Sequence, residues 1–212
     1  MSKYPPIPRP EETPWGDPQL ANQVLPGIWT VSTATHGGLV LSDQRQADMP
    51  DALQLTDRYY EEDCNWALVY VAYADEFLRS NLRCGPDFIQ LARDTATCWH
   101  PERMAKHTGQ SIPENQSHVL KTRTAYQAAI GEFCATSAWG DWAEWVPEGK
   151  VGVLAKKLVS VDHLGRPTYE NDEVFALVDK KAYNDRGEVT PLSTIDHETI
   201  APPESVRPKR VA

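Results

Sequence analysis

Apolar and polar residues alternate in several parts of the chain, and this alternation predicts β-strands. Residues 28–33 alternate in this way, and after a Thr-His-Gly-Gly turn residues 39–41 resume the apolar pattern, which predicts a hairpin. Ser42 follows directly and is expected to cap a short helix. Residues 151–154 and 158–161 predict strand, and after a His-Leu-Gly-Arg turn residues 174–178 predict its antiparallel partner.

Three longer segments carry the pattern of helices. Residues 61–78 begin with acids and continue through a nearly unbroken apolar centre, which predicts a buried helix with the acids in its first turn. Residues 86–99 predict a helix whose inward side chains are Phe88, Ile89, Leu91 and Ala92. Residues 116–136 predict a third helix with one apolar stripe.

The order of strands, then helices, then strands indicates an α+β fold, with a small antiparallel sheet packed against about three longer helices. We expect a single domain over residues 27–199. Residues 1–26 contain seven prolines and predict an extended N-terminal arm, because proline interrupts helices and central strands. Residues 200–212 predict a flexible C-terminal tail.

The charge of the chain is negative and unevenly distributed. The net charge is −9, and residues 43–76 carry nine acids against two bases, a balance of −7. This acidic stretch disfavours direct nucleic-acid binding and would suit a basic protein partner. No apolar run reaches the roughly 18–20 residues that cross a bilayer, and the first residues lack a signal-peptide core, so we expect a cytoplasmic protein without membrane contact.

The Thr-His-Gly-Gly turn is the first candidate for chemistry. Gly37 and Gly38 allow unusual backbone conformations or a close approach by a ligand, and paired glycine amides can bind an anion. His36 beside them can act as acid, base or metal ligand. The alternative is a tight hairpin turn that carries one exposed histidine.

The acid run is the second candidate. One of Glu61, Glu62 and Asp63 can serve as a general acid or base, and with His36 they can hold a divalent metal, although no standard metal motif is present and the cofactor stays unknown. Trp66 follows the run, and Asp57 precedes it in the same acidic segment. The alternative role of the acids is compensation of a helix dipole.

The cysteines and three tryptophans are weaker candidates for a functional role. The four cysteines show no zinc-site spacing, so we expect buried reduced thiols, with Cys64 as the only candidate for a catalytic thiol. Trp139, Trp142 and Trp145 are spaced by three residues and would form a ridge on one helix face, either as a stacking platform or as an interface anchor. The alternative for these tryptophans is a small apolar cluster.

Several segments of the sequence, including these motifs, resemble a known protein family. The segments around Pro14-Trp15-Gly16, Pro26–Gly38, Tyr60–Ala67 and Val146–Val153 resemble a family of uncharacterised proteins from plasmids and phages of proteobacteria. The resemblance covers most of residues 14–183 and implies that the histidine, the two glycines, the three acids and Trp66 share one site. It implies no established activity.

Two hypotheses follow. The first is an accessory protein of a mobile element that inhibits a host defence system, of an anti-CRISPR or anti-restriction type, by binding the basic surface of a nuclease or defence complex. The second is a small hydrolase or transferase in which His36 works with Glu61, Glu62 or Asp63, with or without a metal. A pocket that brings His36 within reach of an acid would favour the enzyme, and acids spread over an exposed face would favour the inhibitor.

Overall fold

The computed structural model describes residues 3–5, 7–80 and 84–206, and these form eight β-strands and seven α-helices. The chain divides into two compact units, Met1–His118 and Val119–Ala212. Each unit contains one four-stranded antiparallel sheet. The predicted α+β class is confirmed. The single domain expected over residues 27–199 stays a prediction, and the two units share that range.

The first unit contains a sheet with the strands in sequence order. These strands are β1 (Leu20–Leu25), β2 (Ile28–Ser32), β3 (Gly37–Leu41) and β4 (Tyr59–Glu61). Its helices are α1 (Asp43–Asp48), α2 (Trp66–Ala72), α3 (Ala74–Arg79), α4 (Pro86–Trp99) and α5 (Pro101–Thr108). Buried apolar side chains of β2, β3, α2, α3 and α4 form one core.

The predicted hairpin is confirmed. Strands β2 and β3 pair in antiparallel fashion from Ile28 opposite Leu41 to Ser32 opposite Gly37. Because side chains alternate across a strand, Ile28 and Leu41 lie on the core face and are fully buried. Ser42 caps α1 as expected, since its hydroxyl oxygen accepts a hydrogen bond from Arg45 N at 3.1 Å.

The single helix predicted over residues 61–78 is wrong in two places. Its expected start belongs to β4, which pairs with β3 and buries Tyr60 completely, so α2 begins only at Trp66. The segment is then interrupted at Tyr73, where φ is −115° and ψ is 25°. The Tyr73 hydroxyl donates a hydrogen bond to the Arg45 carbonyl oxygen, so tertiary contacts set both boundaries.

Arg45 is the centre of the polar contacts in the first unit. Its guanidinium is fully buried and donates two hydrogen bonds of 2.8 Å to the Glu76 carboxylate and one of 2.9 Å to the Pro26 carbonyl. It also lies 3.5 Å from the centre of the Tyr4 ring and 4.6 Å from that of Tyr73. These contacts satisfy a charge that would be costly to bury alone.

The second unit is built mainly from strands. They are β5 (Phe133–Trp139), β6 (Lys150–Val161), β7 (Pro167–Asp179) and β8 (His197–Ile200), in sequence order. The remaining helices are α6 (His118–Ala128) and α7 (Lys180–Asn184). The predicted antiparallel pair is confirmed as β6 and β7, whose small buried residues form the core with Leu192.

The third long helix, predicted over residues 116–136, is too long. Helix α6 ends at Ala128, and Gly131 takes a φ of +92° while its amide donates to the Leu158 carbonyl at 2.8 Å. Phe133 then starts β5 opposite Lys157. Pairing with β6 therefore removes the last part of the apolar stripe from the helix.

Part of the predicted N-terminal arm belongs to the sheet and core of the first unit. In the predicted N-terminal arm, residues 20–25 form the edge strand β1, which lies between the prolines at 18 and 26. Tyr4 from the same arm is buried against Arg45. The predicted tail begins where β8 ends, and its residues 207–212 lie outside the described part of the chain.

We predict that Glu76→Ala lowers the free energy of unfolding by about 2–4 kcal/mol, because it leaves the buried Arg45 guanidinium without its counter-charge. Urea denaturation followed by circular dichroism measures the change. The control is Asp75→Ala, an exposed acid one position earlier on the same helix. Equal losses for the two variants would contradict a special role for the ion pair.

Candidate functional site

An open cleft of about 540 Å³ lies beside the β2–β3 turn in the first unit. This volume is within the range of small-molecule sites, roughly 300–1,000 Å³. Residues 30–39 line one side of the cleft, Glu62 lines it beside the turn, and three aromatic rings from α2 and α4 line it as well. Those rings belong to Trp66, Tyr70 and Phe88.

The structure brings His36 together with two of the three predicted acids. His36 Nδ1 lies 3.5 Å from a carboxylate oxygen of Glu61 and 3.5 Å from one of Glu62. The pairing of Gly38 with Glu61 across β3 and β4 produces this juxtaposition, because it places the end of β4 beside the turn. About half of the His36 side chain (51 %) stays exposed, so the imidazole is open to a ligand.

The Gly37 amide binds a carboxylate of the protein itself, that of Glu62. Its amide donates a hydrogen bond to Glu62 Oε2, and its carbonyl accepts one from Glu62 N at 3.1 Å. The Glu62 carboxylate thus occupies the amide that the sequence suggested for a ligand anion. The same contact holds Glu62 in place beside His36.

Gly38 is required by close packing on both sides. It has a φ of +155°, and a Cβ atom there would lie 2.3 Å from the Tyr60 carbonyl oxygen and 2.7 Å from the Trp15 ring. Such distances leave no room for a side chain. The absence of a Cβ lets Trp15 of the N-terminal arm cover this part of the sheet, where its ring meets that of Tyr59 edge-on.

Thr33 holds the turn in its conformation. Its hydroxyl oxygen lies 2.9 Å from the His36 carbonyl oxygen and 3.1 Å from that of Trp15, and it accepts a hydrogen bond from His36 N at 3.2 Å. Thr33 is buried although it is polar. The contacts of one hydroxyl therefore fix the backbone of His36 and link the turn to the arm.

The aromatic lining was only partly predicted. Trp66 was expected at the site, whereas Tyr70 and Phe88 were missed. The Phe88 ring centre lies 5.4 Å from that of Trp66 and 4.9 Å from that of Tyr70. The spacing of four residues between Trp66 and Tyr70 on one helix was a usable signal. Nothing in the sequence placed Phe88 at the cleft. The prediction that Phe88 and Leu91 turn inward is wrong, since they are 37 % and 53 % exposed, whereas Ile89 and Ala92 are buried as predicted.

Several predicted residues do not line the cleft, and Glu61 is one of them although it lies beside His36. Asp63 is exposed in the turn after Glu62, and Asp57 is exposed before β4, where its carboxylate accepts a hydrogen bond from Tyr59 N at 2.9 Å. Burial raises the pKa of the Cys64 thiol, and the carboxylates of Asp63 and Glu61 raise it further. Cys64 therefore stays a protonated thiol, which argues against its use as a nucleophile.

The three tryptophans of the second unit do not form a helical ridge. Trp139 ends β5, and Trp142 and Trp145 lie in the turns that follow. The rings of Trp139 and Trp145 are 5.5 Å apart, each is 6.4 Å from the Phe175 ring, and Trp145 packs so closely on Gly152 that a Cβ there would overlap it. Trp142 is 75 % exposed. A binding role for these residues stays a prediction.

Among the residues that the structure describes, no group of three or more histidine, cysteine, aspartate or glutamate side chains is arranged to hold a metal ion. His36 with Glu61 and Glu62 is thus best described as an imidazole between two carboxylates. One of these carboxylates is already engaged by the Gly37 amide.

Comparison with protein families identifies the family of this chain. A family model with the description "Domain of unknown function (DUF7007)" matches residues 8–130, which include every residue of the cleft. No curated protein and no solved structure matches the chain. Within the described residues, no helix is long and apolar enough to span a membrane.

We predict that Gly38→Ala destabilises the protein by about 2–3 kcal/mol or more, since the added methyl group would overlap the Tyr60 carbonyl and the Trp15 ring. Thermal and urea unfolding measure the loss. The control is Gly187→Ala, where the nearest atom to a new Cβ is 3.9 Å away. A Gly38→Ala protein as stable as the control would show that the turn tolerates a side chain.

Proposed function

This chain belongs to the family of domains of unknown function DUF7007, whose description assigns no activity, and we propose that it is a small hydrolase or transferase with His36 as its acid–base group. The observation that carries this proposal is the position of His36 Nδ1, 3.5 Å from both the Glu61 and Glu62 carboxylates, at the edge of a cleft. An imidazole oriented by a carboxylate and open to a ligand is a recurring acid–base arrangement.

The two carboxylates give the two ring nitrogens different roles. Carboxylate oxygens accept hydrogen bonds, so they favour the tautomer with the proton on His36 Nδ1. Nε2 is then left with a lone pair and can take a proton from a water molecule or a hydroxyl group in the cleft. The oxygen that loses this proton then attacks the substrate. The same nitrogen can return that proton to the leaving group. Separations of 3.5 Å are long for hydrogen bonds, and catalytic contacts often shorten when a substrate binds.

Glu62 also positions the other groups. One oxygen of its carboxylate accepts from the Gly37 amide, and the other faces His36. The amide therefore acts inside the protein and does not serve as an oxyanion hole. Glu62 is a positioning residue in this scheme, because it fixes the turn and the imidazole together.

We predict that His36→Gln lowers turnover by about 100-fold or more, as loss of a general base does elsewhere. The assay is a panel of p-nitrophenyl esters, amides and phosphates, with the wild-type protein setting the active substrate. His107→Gln is the matched control, since His107 is an exposed histidine of α5 outside the cleft. If no substrate shows turnover that depends on His36, the enzymatic proposal fails.

A second candidate is a cytoplasmic accessory protein of a plasmid or phage that inhibits a host defence system by binding a basic protein surface. The resemblance of the sequence motifs to plasmid and phage proteins supports it. So does exposure: seven of the nine acids in residues 43–76 are exposed, whereas Arg45 is buried. Against it, Asp43 pairs with Arg58 and Asp48 with Lys3, so part of the charge is balanced locally.

The second candidate predicts that a triple variant, Asp51→Asn, Asp57→Asn and Asp63→Asn, loses capture of a host nuclease or defence complex in a pull-down from a bacterial lysate. These three acids are exposed and lie outside the cleft. His36→Gln should keep the capture. Capture that survives the triple change, or capture of no such complex, would contradict this role.

A further inference from the structure

The charge of the cleft selects the ligand that it can hold. Of the residues that the structure describes, fourteen line it, and none of these is lysine or arginine. Glu62 is the one carboxylate among these fourteen, and Nε2 of His36 beside it is an acceptor when the ring is neutral with its proton on Nδ1. An anionic ligand would meet a carboxylate and no counter-charge, so this lining disfavours it. A cationic ligand would find its counter-charge in the Glu62 carboxylate.

Three aromatic residues of the lining suit a planar cation. Trp66, Tyr70 and Phe88 lie within 5.6 Å of one another by their ring centres. Tyr70 stacks on Phe77 at 4.1 Å, and Phe88 is 37 % exposed and lines the cleft. Aromatic faces attract cations, and a planar guanidinium both stacks on rings and forms hydrogen bonds with carboxylates.

We propose that the cleft binds a guanidinium group, as carried by an arginine side chain. In this arrangement the planar cation lies against the aromatic rings and its N–H groups point to Glu62. The inference rests on the proposed enzyme and names the class of its substrate: a guanidinium compound, with His36 next to the bound group. Two sources share this chemistry, arginine within a peptide and a free guanidino compound.

Calorimetric titration of the full chain tests the proposal with three probes. They are N-acetyl-arginine amide, its neutral isostere N-acetyl-citrulline amide, and agmatine. We expect the arginine probe to bind at least about tenfold more tightly than the citrulline probe, because only the former is charged. If agmatine binds as well as the arginine probe, the natural ligand is a free guanidino compound. If agmatine binds more weakly, the natural ligand is an arginine within a peptide.

Matched variants connect the binding to the cleft. Phe88→Ala should weaken the arginine probe about three- to tenfold through the lost cation–π contact. Leu91→Ala, on the same helix and 53 % exposed but outside the cleft, should not. Glu62→Gln should weaken binding of the arginine probe at least as much as Phe88→Ala does, whereas Asp63→Asn should leave this binding unchanged. Circular dichroism of each variant confirms that it is folded.

Equal binding of arginine and citrulline probes, or no binding of either at millimolar concentration, would overturn the inference. So would equal effects of Phe88→Ala and Leu91→Ala. The enzymatic proposal fails separately. If arginine binds and His36-dependent turnover is absent, only the enzyme is rejected, and if His36-dependent turnover occurs without guanidinium binding, only this substrate class is rejected.

Discussion

The first unit depends on one buried charge. The Arg45 guanidinium has no contact with solvent and is satisfied by the Glu76 carboxylate, the Pro26 carbonyl and the Tyr4 and Tyr73 rings. These partners come from the arm, from the turn before β2 and from the segment of α2 and α3. Because a buried charge tolerates few alternative arrangements, its satisfaction fixes the positions of these segments together.

The cleft inherits its shape from these constraints. Tyr73 ends α2 at Arg45, and α2 carries Trp66 and Tyr70 into the aromatic side of the cleft. On the other side, Thr33 and Gly38 fix the hairpin turn beneath Trp15 of the arm. Catalytic and binding groups need support of this kind, since small displacements of a side chain weaken both functions.

The charge of the cleft depends on a hydrogen bond within the protein, between the Gly37 amide and the Glu62 carboxylate. The Gly37 amide, which could bind a ligand anion, instead donates to the Glu62 carboxylate. This carboxylate is held in a cleft whose lining, in the part of the chain that the structure describes, contains no lysine or arginine. This leaves a negative, aromatic surface beside an exposed imidazole. Such a surface is suited to a cation and to proton transfer, and both proposals draw on it.

The sequence by itself determined the local features of this protein. The alternation in residues 28–41 with its two glycines indicated the hairpin, and Ser42 indicated the start of α1, because these signals act over a few residues. Tertiary structure decided what depends on distant partners. Glu61 belongs to β4 because it pairs with Gly38, and Phe133 belongs to β5 because it pairs with Lys157, although both continue a helical pattern. Phe88 reaches the cleft for the same reason: its surroundings come from α2, and no local pattern encodes them.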